Sequence, residues 1–478
     1  MALRRKSYYV RETAEVLLNR LQCLILYGLA VSIIGCLVWK PHITEISLIA
    51  ACIALYVVIV AHRAVINLSS ALYKAPEINI EELEPDDLKT YSIIIAMRHE
   101  GSAIIERSIK AISNLNYPPE LMDVIYVVDD DDGDTIAAFR QLPSPPYFRL
   151  VIAPMIGPGT KPRALNYAFS QTANEITVPY DIEDVPHPDQ LLEAVATFKV
   201  SDRNIGYLQA RLVYSPGKKW YNCFYKVDYA HHFWELLRGM AGLGLAFPLG
   251  GTSNHFRTEV LREVGVDQTN SKTWAVWDSY NVAEDADLGL VLQRHGYKGL
   301  PLNSFTIEES PDHLFGPGGA SRQRQRWLKG YLQTGLVHSR HPLFAIRQVG
   351  LVNYLSYMLV VMGTPIVLLI NPIFWSMTIY YIFTESSVIQ QLFPAPLYYS
   401  GMAVMIFGNL GLFYQLLVAC YRTEDWKSVP TMFLVPFWWA FNSLVSLLMF
   451  IEIIRPSTRY RWNKTSHGHS LIEEAIAK

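Results

Sequence analysis

Three acidic groups carry spacings that chemistry could use. Asp129 to Asp132 form a run of four, Asp181-Ile182-Glu183-Asp184 follows a β-rich stretch, and Glu284-Asp285 stands as a pair further along. Carboxylates at i, i+2 in a turn can aim oxygens at one hard cation such as Mg²⁺ or Mn²⁺, and such cations commonly join a carboxylate or two to substrate phosphates. A nucleotide diphosphate partner fits that pattern. The bland alternatives are a solvated turn for the aspartate run and a helix N-terminus, where the dipole favours acids, for Glu284-Asp285. No G-x-x-x-x-G-K-[ST] loop is present and no G-x-G-x-x-G follows the first strand, which removes the P-loop alternative. Cys23, Cys36, Cys52, Cys223 and Cys420 lack C-x-x-C spacing, so neither a disulfide framework nor a zinc cluster has support.

The acids must be held at the ends of regular elements. Tyr91 to Ala96 and Val124 to Val128 are short β-rich runs separated by Ser102 to Leu115, which has helical periodicity, and together they read as a βαβ unit. A further run, Ile176 to Tyr180, ends directly at Asp181. Binding groups at the carboxyl ends of parallel strands are what an open α/β sheet predicts. These elements lie in a hydrophilic insert over 82–338, long enough for a domain with its own core.

Apolar segments flank the insert. The chain is 51% hydrophobic and 18% charged, apolar for a soluble protein. Leu21 to Trp39 and Ile46 to Ala61, broken at Lys40-Pro41-His42, read as a membrane hairpin. Arg4, Arg5, Lys6, Arg11 and Arg20 precede it, so the positive-inside rule puts the N-terminus and the insert in the cytoplasm. Three apolar stretches follow the insert: Gln348 to Thr384, Ser386 to Tyr421 and Ser428 to Ile451. Basic residues Arg422, Lys427, Arg455, Arg459 and Arg461 are satisfied by one crossing on each side of an external Glu385 to Pro396 loop. The third stretch, with Pro430, Pro436, Trp438 and Trp439, then lies in the interface plane. The chain is thus read as four spans plus interfacial helices, with six spans as the rival count. Its divisions are 1–81 (tail and hairpin), 82–338 (cytoplasmic domain), 339–454 (membrane and interfacial helices) and 455–478 (cytoplasmic tail). Near-neutral net charge, 41 Lys and Arg against 43 Asp and Glu, speaks against a nucleic-acid partner. The spans carry no paired intramembrane charges, which disfavours a transporter.

An ordered set of motifs carries a family resemblance. Ile93-Ile94-Ile95-Ala96 leading to Arg98-His99-Glu100, the Asp129-Asp130 strand end, Lys161 to Asn166, Tyr180 to Asp184 with Pro186 and Pro188, Asn281 to Asp287, and Gln323-Arg324-Gln325-Arg326-Trp327 occur in that order. The chain resembles membrane-embedded family 2 glycosyltransferases of the GT-A fold, related to cellulose, curdlan, chitin and hyaluronan synthases. The resemblance implies an α/β GT-A (Rossmann-like) cytoplasmic catalytic domain inserted between transmembrane helices, with amphipathic interface helices. It also implies an inverting hexosyltransferase that polymerises a β-linked polysaccharide from a nucleotide sugar and passes it across the plasma membrane, both termini remaining cytoplasmic.

The same resemblance implies site roles. Asp129 and Asp130 contact the uracil or ribose of the donor, and Lys161 reaches the diphosphate as a point charge. Asp181 and Glu183 hold Mg²⁺ or Mn²⁺. Cellulose synthase has D-x-D there, so Glu183 is a departure that leaves Asp184 as a further candidate ligand. Ala283-Glu284-Asp285 matches the family's T-E-D with Ala for Thr, and Asp285 is the general base. Gln323, Arg326 and Trp327 line the acceptor end, with Arg326 also able to grip phosphate oxygens bidentately. Gly251 and Thr252, in the Gly250 to His255 loop, lie near the acceptor, and His255 is as well explained by structure as by function. Lys464 and Thr465, in Trp462 to Gly468, occupy the position of a gating loop over the nucleotide. The aromatic run within Lys218 to Leu237 suits either packing under the sheet or the membrane interface. Expected partners are the nucleotide-sugar donor, the growing glycan, the bilayer and accessory export or regulatory subunits. Kinship to glucan synthases favours UDP-glucose, and transfer of one sugar to a lipid carrier is the runner-up.

Overall fold

The structure, a computed structural model, describes residues 13–214, 219–268, 273–311, 313–422, 424–455 and 457–458. Lys464 and Thr465, and with them the expected gating loop, lie outside the described residues.

Strands β1 (Tyr91–Met97), β2 (Met122–Asp129), β3 (Phe148–Ala153), β4 (Ile176–Tyr180), β5 (Val185–Pro186), β6 (Ile205–Tyr214), β7 (Asn254–Arg257) and β10 (Lys298–Glu308) form one sheet in the order β3-β2-β1-β4-β7-β6-β10-β5, and β8 (Val266–Gln268) pairs with β9 (Thr273–Ala275) apart from it. β1 runs parallel to both β2 and β4, whereas β7 is antiparallel to β4 and β6. The parallel half is buried on both faces, which explains its unbroken apolar runs. Period 2 divides them: Ile93, Ile95, Val124 and Tyr126 enter one core, and Ile94, Ile125 and Val127 the other. The expected βαβ unit is present, its crossover helix spanning Ser102–Ser113. Because the chain leaves β1 towards β2 and β3 and returns on its other side as β4, the order reverses at β1, where such sheets open a crevice at their carboxyl ends. This is a GT-A-like α/β domain flanked by long apolar helices.

Among the described residues, five helical runs are long and apolar enough to cross a bilayer: Arg20–Trp39, Pro41–Leu72, Leu351–Thr384, Ala395–Arg422 and Trp426–Ile454. The sequence predicts four crossings, with six as the rival. The rival's division at Pro372 is absent, since that proline sits inside the continuous Thr364–Thr384 helix. The additional run, Trp426–Ile454, is the stretch expected in the interface plane. It is the most buried of the five, 44% against 22% or less. Polar contacts tie it to the sheet domain: Trp438 Nε1 donates to Asp228 at 3.0 Å, and Glu452 pairs with Arg322 at 2.8 Å and Lys329 at 3.3 Å.

The hairpin breaks where expected. Asn19 and Gln22 form a capping box on the first helix, and Pro41 opens the second. That second helix runs beyond the predicted limit at His62-Arg63 to Leu72, because its last turns dock on the domain. A Cβ at Gly239 would lie 2.2 Å from the Ile66 carbonyl oxygen. The aromatic run fills a third location, the seam between domain and C-terminal helices: Tyr221, Phe224 and Tyr225 are buried, and Phe224 stacks on Trp438 at 5.2 Å.

The helix-to-helix approach at Gly239 gives a direct test. Gly239→Ala meets backbone that no rotamer change can relieve, and overpacking of this kind costs about 1–3 kcal/mol. We expect it to lower the thermal unfolding midpoint in detergent, while Gly28→Ala, which meets nothing within 4 Å, leaves the midpoint unchanged in the same fluorescence scan.

Candidate functional site

The aspartate run after β2 is divided by what each side chain meets. Asp129 is buried, one oxygen bound by Arg98 at 2.6 Å and the other by Arg163. Arg98 extends to Asp131 at 2.7 Å, and this pairing holds the exposed Asp131 carboxyl below its usual range. Asp132 turns inward, accepting from the His99 N–H at 2.6 Å and the Thr135 hydroxyl at 2.8 Å at the start of the Gly133–Arg140 helix. Asp130 is exposed and accepts from the Met155 N–H at 3.1 Å. The solvated-turn reading thus describes Asp130 and Asp131, and buried anchorage describes the other two.

The second group forms at the end of β4. Lys161 begins the Lys161–Phe169 helix, with Pro162 in its first turn. Its ammonium contacts the Asp181 carboxylate and donates to the Gly251 carbonyl at 2.7 Å. Burial alone would lower the Lys161 pKa, but the charges of Asp181 and then Glu284 outweigh it and hold it raised. Asp184 turns away from the cavity into the domain, accepting from the Asp181 N–H at 2.7 Å and from the Thr252 hydroxyl. Burial, then Asp181, pushes its carboxyl well up. Thr252 is itself fully buried. It therefore closes the turn beneath Asp181 and does not line the cavity, as does its neighbour Gly251. His255 is a core histidine, bonded to Tyr91 at 3.1 Å and Gln190 at 3.2 Å and pushed down to about 3 by burial.

Asp181 and Glu183 both line the cavity. Among the described residues no three His, Cys, Asp or Glu side chains converge into a closed metal site. Two carboxylates open to a cavity nevertheless suit a hard cation whose remaining ligands are phosphate oxygens and water. Asp181 already holds one positive group, the Lys161 ammonium. Glu308, at the carboxyl end of β10, lines the same cavity and was not anticipated. The strand-end rule would have found it had β10 been recognised in the sequence.

Glu284 and Asp285 open the Glu284–Arg294 helix. The preceding loop is clamped by the Ala320–His338 helix: Asn281 Nδ2 donates to Thr334 Oγ1 at 2.8 Å, and the Val282 N–H to Gln333 Oε1 at 3.2 Å. A Cβ at Gly330 would sit 2.3 Å from the Ala283 Cβ, so the helix backbone presses on this loop. Asp287, the third acid of that turn, faces away and meets His338 at 2.9 Å. Burial raises Glu284 and Asp285 above the ordinary carboxylate range, with Lys161 and Arg326 opposing it. A Cβ at Gly251 would lie 3.5 Å from Asp285 Oδ2, so glycine leaves that carboxylate room.

The clamping helix also presents Gln323, Arg326 and Trp327 to the cavity. Gln323 Nε2 reaches Tyr214 Oη at 3.4 Å, and Trp327 packs 5.8 Å from the Tyr229 ring. Arg324, to which the sequence assigned no role, pairs with Asp228 and lies 4.5 Å over the Trp438 ring. One cavity of about 1740 Å³ joins Asp129, Lys161, Asp181, Glu183, Gly251, Glu284, Asp285, Gln323, Arg326 and Trp327. Asp130 and Thr252 stand outside it. From these groups it continues among the long apolar helices, past Tyr56, Phe374, Met402 and Asn409.

Similarities to known proteins agree with this geometry. Residues 88–330, just over half of the chain, match the family described as "Glycosyltransferase like family 2". The chain is 24% identical over 252 residues to the probable glycosyltransferase YdaM of Bacillus subtilis (strain 168), covering 51% of this chain and 56% of that protein. It is 26% identical over 307 residues to the cellulose synthase 1 catalytic subunit [UDP-forming] of Komagataeibacter xylinus, covering 62% of this chain and 37% of that one. The matches thus take in 56% and 37% of the two relatives' lengths. The fold is similar to that of the mannosyltransferase PcManGT from Pyrobaculum calidifontis, solved in complex with GDP-Man and Mn²⁺, at a TM-score of 0.50 and 16% identity over 80% of this chain and 99% of that one. The matched segment begins just before β1 and ends at Gly330, so it holds the acidic strand ends, Glu284-Asp285 and the first half of the Ala320–His338 helix with Gln323, Arg326 and Trp327, and the chain belongs to glycosyltransferase family 2.

Proposed function

We propose that this glycosyltransferase is a processive, inverting synthase that extends a β-linked polysaccharide from a nucleotide sugar, UDP-glucose being favoured, and passes the product through its own membrane helices. The observation that carries this reading is the single cavity shared by the carboxylates and the apolar helices. On this reading a product formed at Asp285 would move along that cavity towards the helical bundle.

In this mechanism Asp285 takes the proton from the acceptor hydroxyl as that oxygen attacks the anomeric carbon opposite the leaving diphosphate. An α-linked donor then gives a β-linked product. Burial raises the Asp285 carboxyl, which makes its carboxylate a stronger base than an exposed aspartate. Lys161 and Arg326 face the same cavity and supply positive charge where the leaving group becomes more negative. Asp181 and Glu183 would hold a Mg²⁺ or Mn²⁺ ion, which neutralises diphosphate charge when bound. Trp327 offers an aromatic face on the acceptor side. Trp426–Ile454, held to the domain through Asp228, Arg322 and Lys329, fits a helix lying along the cytoplasmic face of the membrane.

A second reading, transfer of one sugar to a membrane lipid, is favoured by a different feature of the same cavity. Its membrane part is lined by Val60, Val367, Met402, Met405 and Leu412, side chains that suit a hydrocarbon tail as well as a sugar chain.

Purified protein in nanodiscs with Mg²⁺ or Mn²⁺ distinguishes the two. We expect UDP-glucose to support nucleotide release and a long, glycosidase-sensitive polymer, with chelation abolishing turnover; a single-sugar lipid product would replace this reading by the second. Asp285→Asn should lower nucleotide release by about 10²–10⁴-fold while donor binding by calorimetry persists, and retained turnover would remove Asp285 as the base. The proton acceptor works only as the carboxylate, and its pKa is raised. The acid limb of kcat/KM should therefore fall at a pH above that of an exposed aspartate, about 3.9, with activity lost as pH drops through the raised value.

A further inference from the structure

Away from the catalytic cavity, unpartnered donors converge on one indole. Trp234 lies in the His231–Leu236 segment, with the guanidinium of Arg211 4.1 Å, of Arg238 4.7 Å and of Arg422 5.6 Å from its ring. Arg238 also lies 5.3 Å from the Tyr73 ring. Arg211 Nε, Arg238 Nε, Trp234 Nε1 and Tyr73 Oη are all buried and have no hydrogen-bond partner among the described residues. Buried donors are normally satisfied, and a cluster that is not calls for an acceptor outside the chain. Two carboxylates stand against three arginines here: Glu235 pairs with Arg422 at 2.9 Å and its charge reaches Arg238. Glu193 is the other acid whose charge reaches Arg211. Burial, then the neighbouring Arg238 charge, lowers the Arg211 pKa to about 10, as expected of buried cations that outnumber their counter-ions.

The position narrows the acceptor's chemistry. Tyr73 directly follows the Pro41–Leu72 helix, and Arg422 ends the Ala395–Arg422 helix. The Arg422 end is where a bilayer's headgroups lie if that helix spans it, and Tyr73 stands on the domain side, past the turns that dock on Gly239. Guanidinium groups stacked on an aromatic face keep their N–H edges free, and those edges match phosphate oxygens bidentately. None of these side chains lines the catalytic cavity.

We propose that Arg211, Arg238 and Arg422, stacked around Trp234 beside Tyr73, bind the phosphate of an anionic phospholipid headgroup at the edge of the membrane. The site holds the sheet domain against the ends of both helices and takes no part in sugar transfer.

The test titrates the full chain in detergent with phosphatidylglycerol, phosphatidylcholine or inorganic phosphate and follows thermal unfolding. Phosphatidylglycerol should raise the midpoint, and phosphatidylcholine and inorganic phosphate at equal concentration should not. In Arg211→Gln/Arg238→Gln the half-saturating phosphatidylglycerol concentration should rise about 5-fold per arginine removed, with nucleotide release in the absence of added lipid unchanged. An unchanged phosphatidylglycerol response in that variant overturns the site. A response to inorganic phosphate equal to that for phosphatidylglycerol overturns the lipid source and assigns free phosphate instead. If the double variant does not fold, Tyr73→Phe removes one unpartnered donor alone, and an unchanged affinity for phosphatidylglycerol there also overturns the proposal.

Discussion

Negative charge gathered in a partly buried cavity is the constraint on which the site depends. Asp181, Glu183, Glu284, Asp285 and Glu308 approach from three elements, and without cations their mutual repulsion and desolvation would protonate some of them. Lys161 is the central counter-ion. It touches Asp181 and the Gly251 carbonyl, and the charge of Glu284 reaches it. Arg98 and Arg163 play the same part for Asp129. A donor diphosphate and its cation would enter a balance in which Asp181, Glu284 and Asp285 already face Lys161 or Arg326. The enclosure that raises Glu284 and Asp285 is thus the same enclosure that strengthens every charge interaction with a substrate.

The Ala320–His338 helix transmits that geometry to the rest of the molecule. One side presses Gly330 against Ala283 and bonds Gln333 and Thr334 to the loop before Glu284-Asp285. Its Gln323, Arg326 and Trp327 face the cavity, while Arg322 and Lys329 reach Glu452 on the last apolar helix. At its far end Gln22, at the start of the first apolar helix, donates to the Leu336 carbonyl at 2.7 Å. Positions of Glu284-Asp285 and of the long apolar helices are therefore coupled through one rigid rod. The approach of Gly239 to Ile66 gives a second, separate anchor between domain and hairpin.

The sequence by itself determined β1, β2 and β4, the βαβ unit that the first two form and the order of the acidic groups. The β-branched runs at Ile93-Ile94-Ile95 and Val124-Ile125 are local signals that do not depend on distant partners, whereas which core each of these side chains enters was decided by the packing on the two faces of the sheet. The sequence likewise determined the hairpin break, because Pro41 acts on its own neighbours. Tertiary structure decided which acid of each run faces the cavity. Asp184 and Asp287 are drawn away from it by Thr252 and His338, residues distant in sequence, while Asp181 and Asp285 stay within it. No spacing rule distinguishes them, since loop side chains take the direction their partners allow. Thr252 shows the same effect: its motif points to the acceptor, but its hydroxyl is consumed beneath the turn. The cluster at Trp234 was hidden more deeply still. Residues 73, 211, 234, 238 and 422 share no local pattern, and only the packing of a sheet domain against two helix ends brings their charges and rings together.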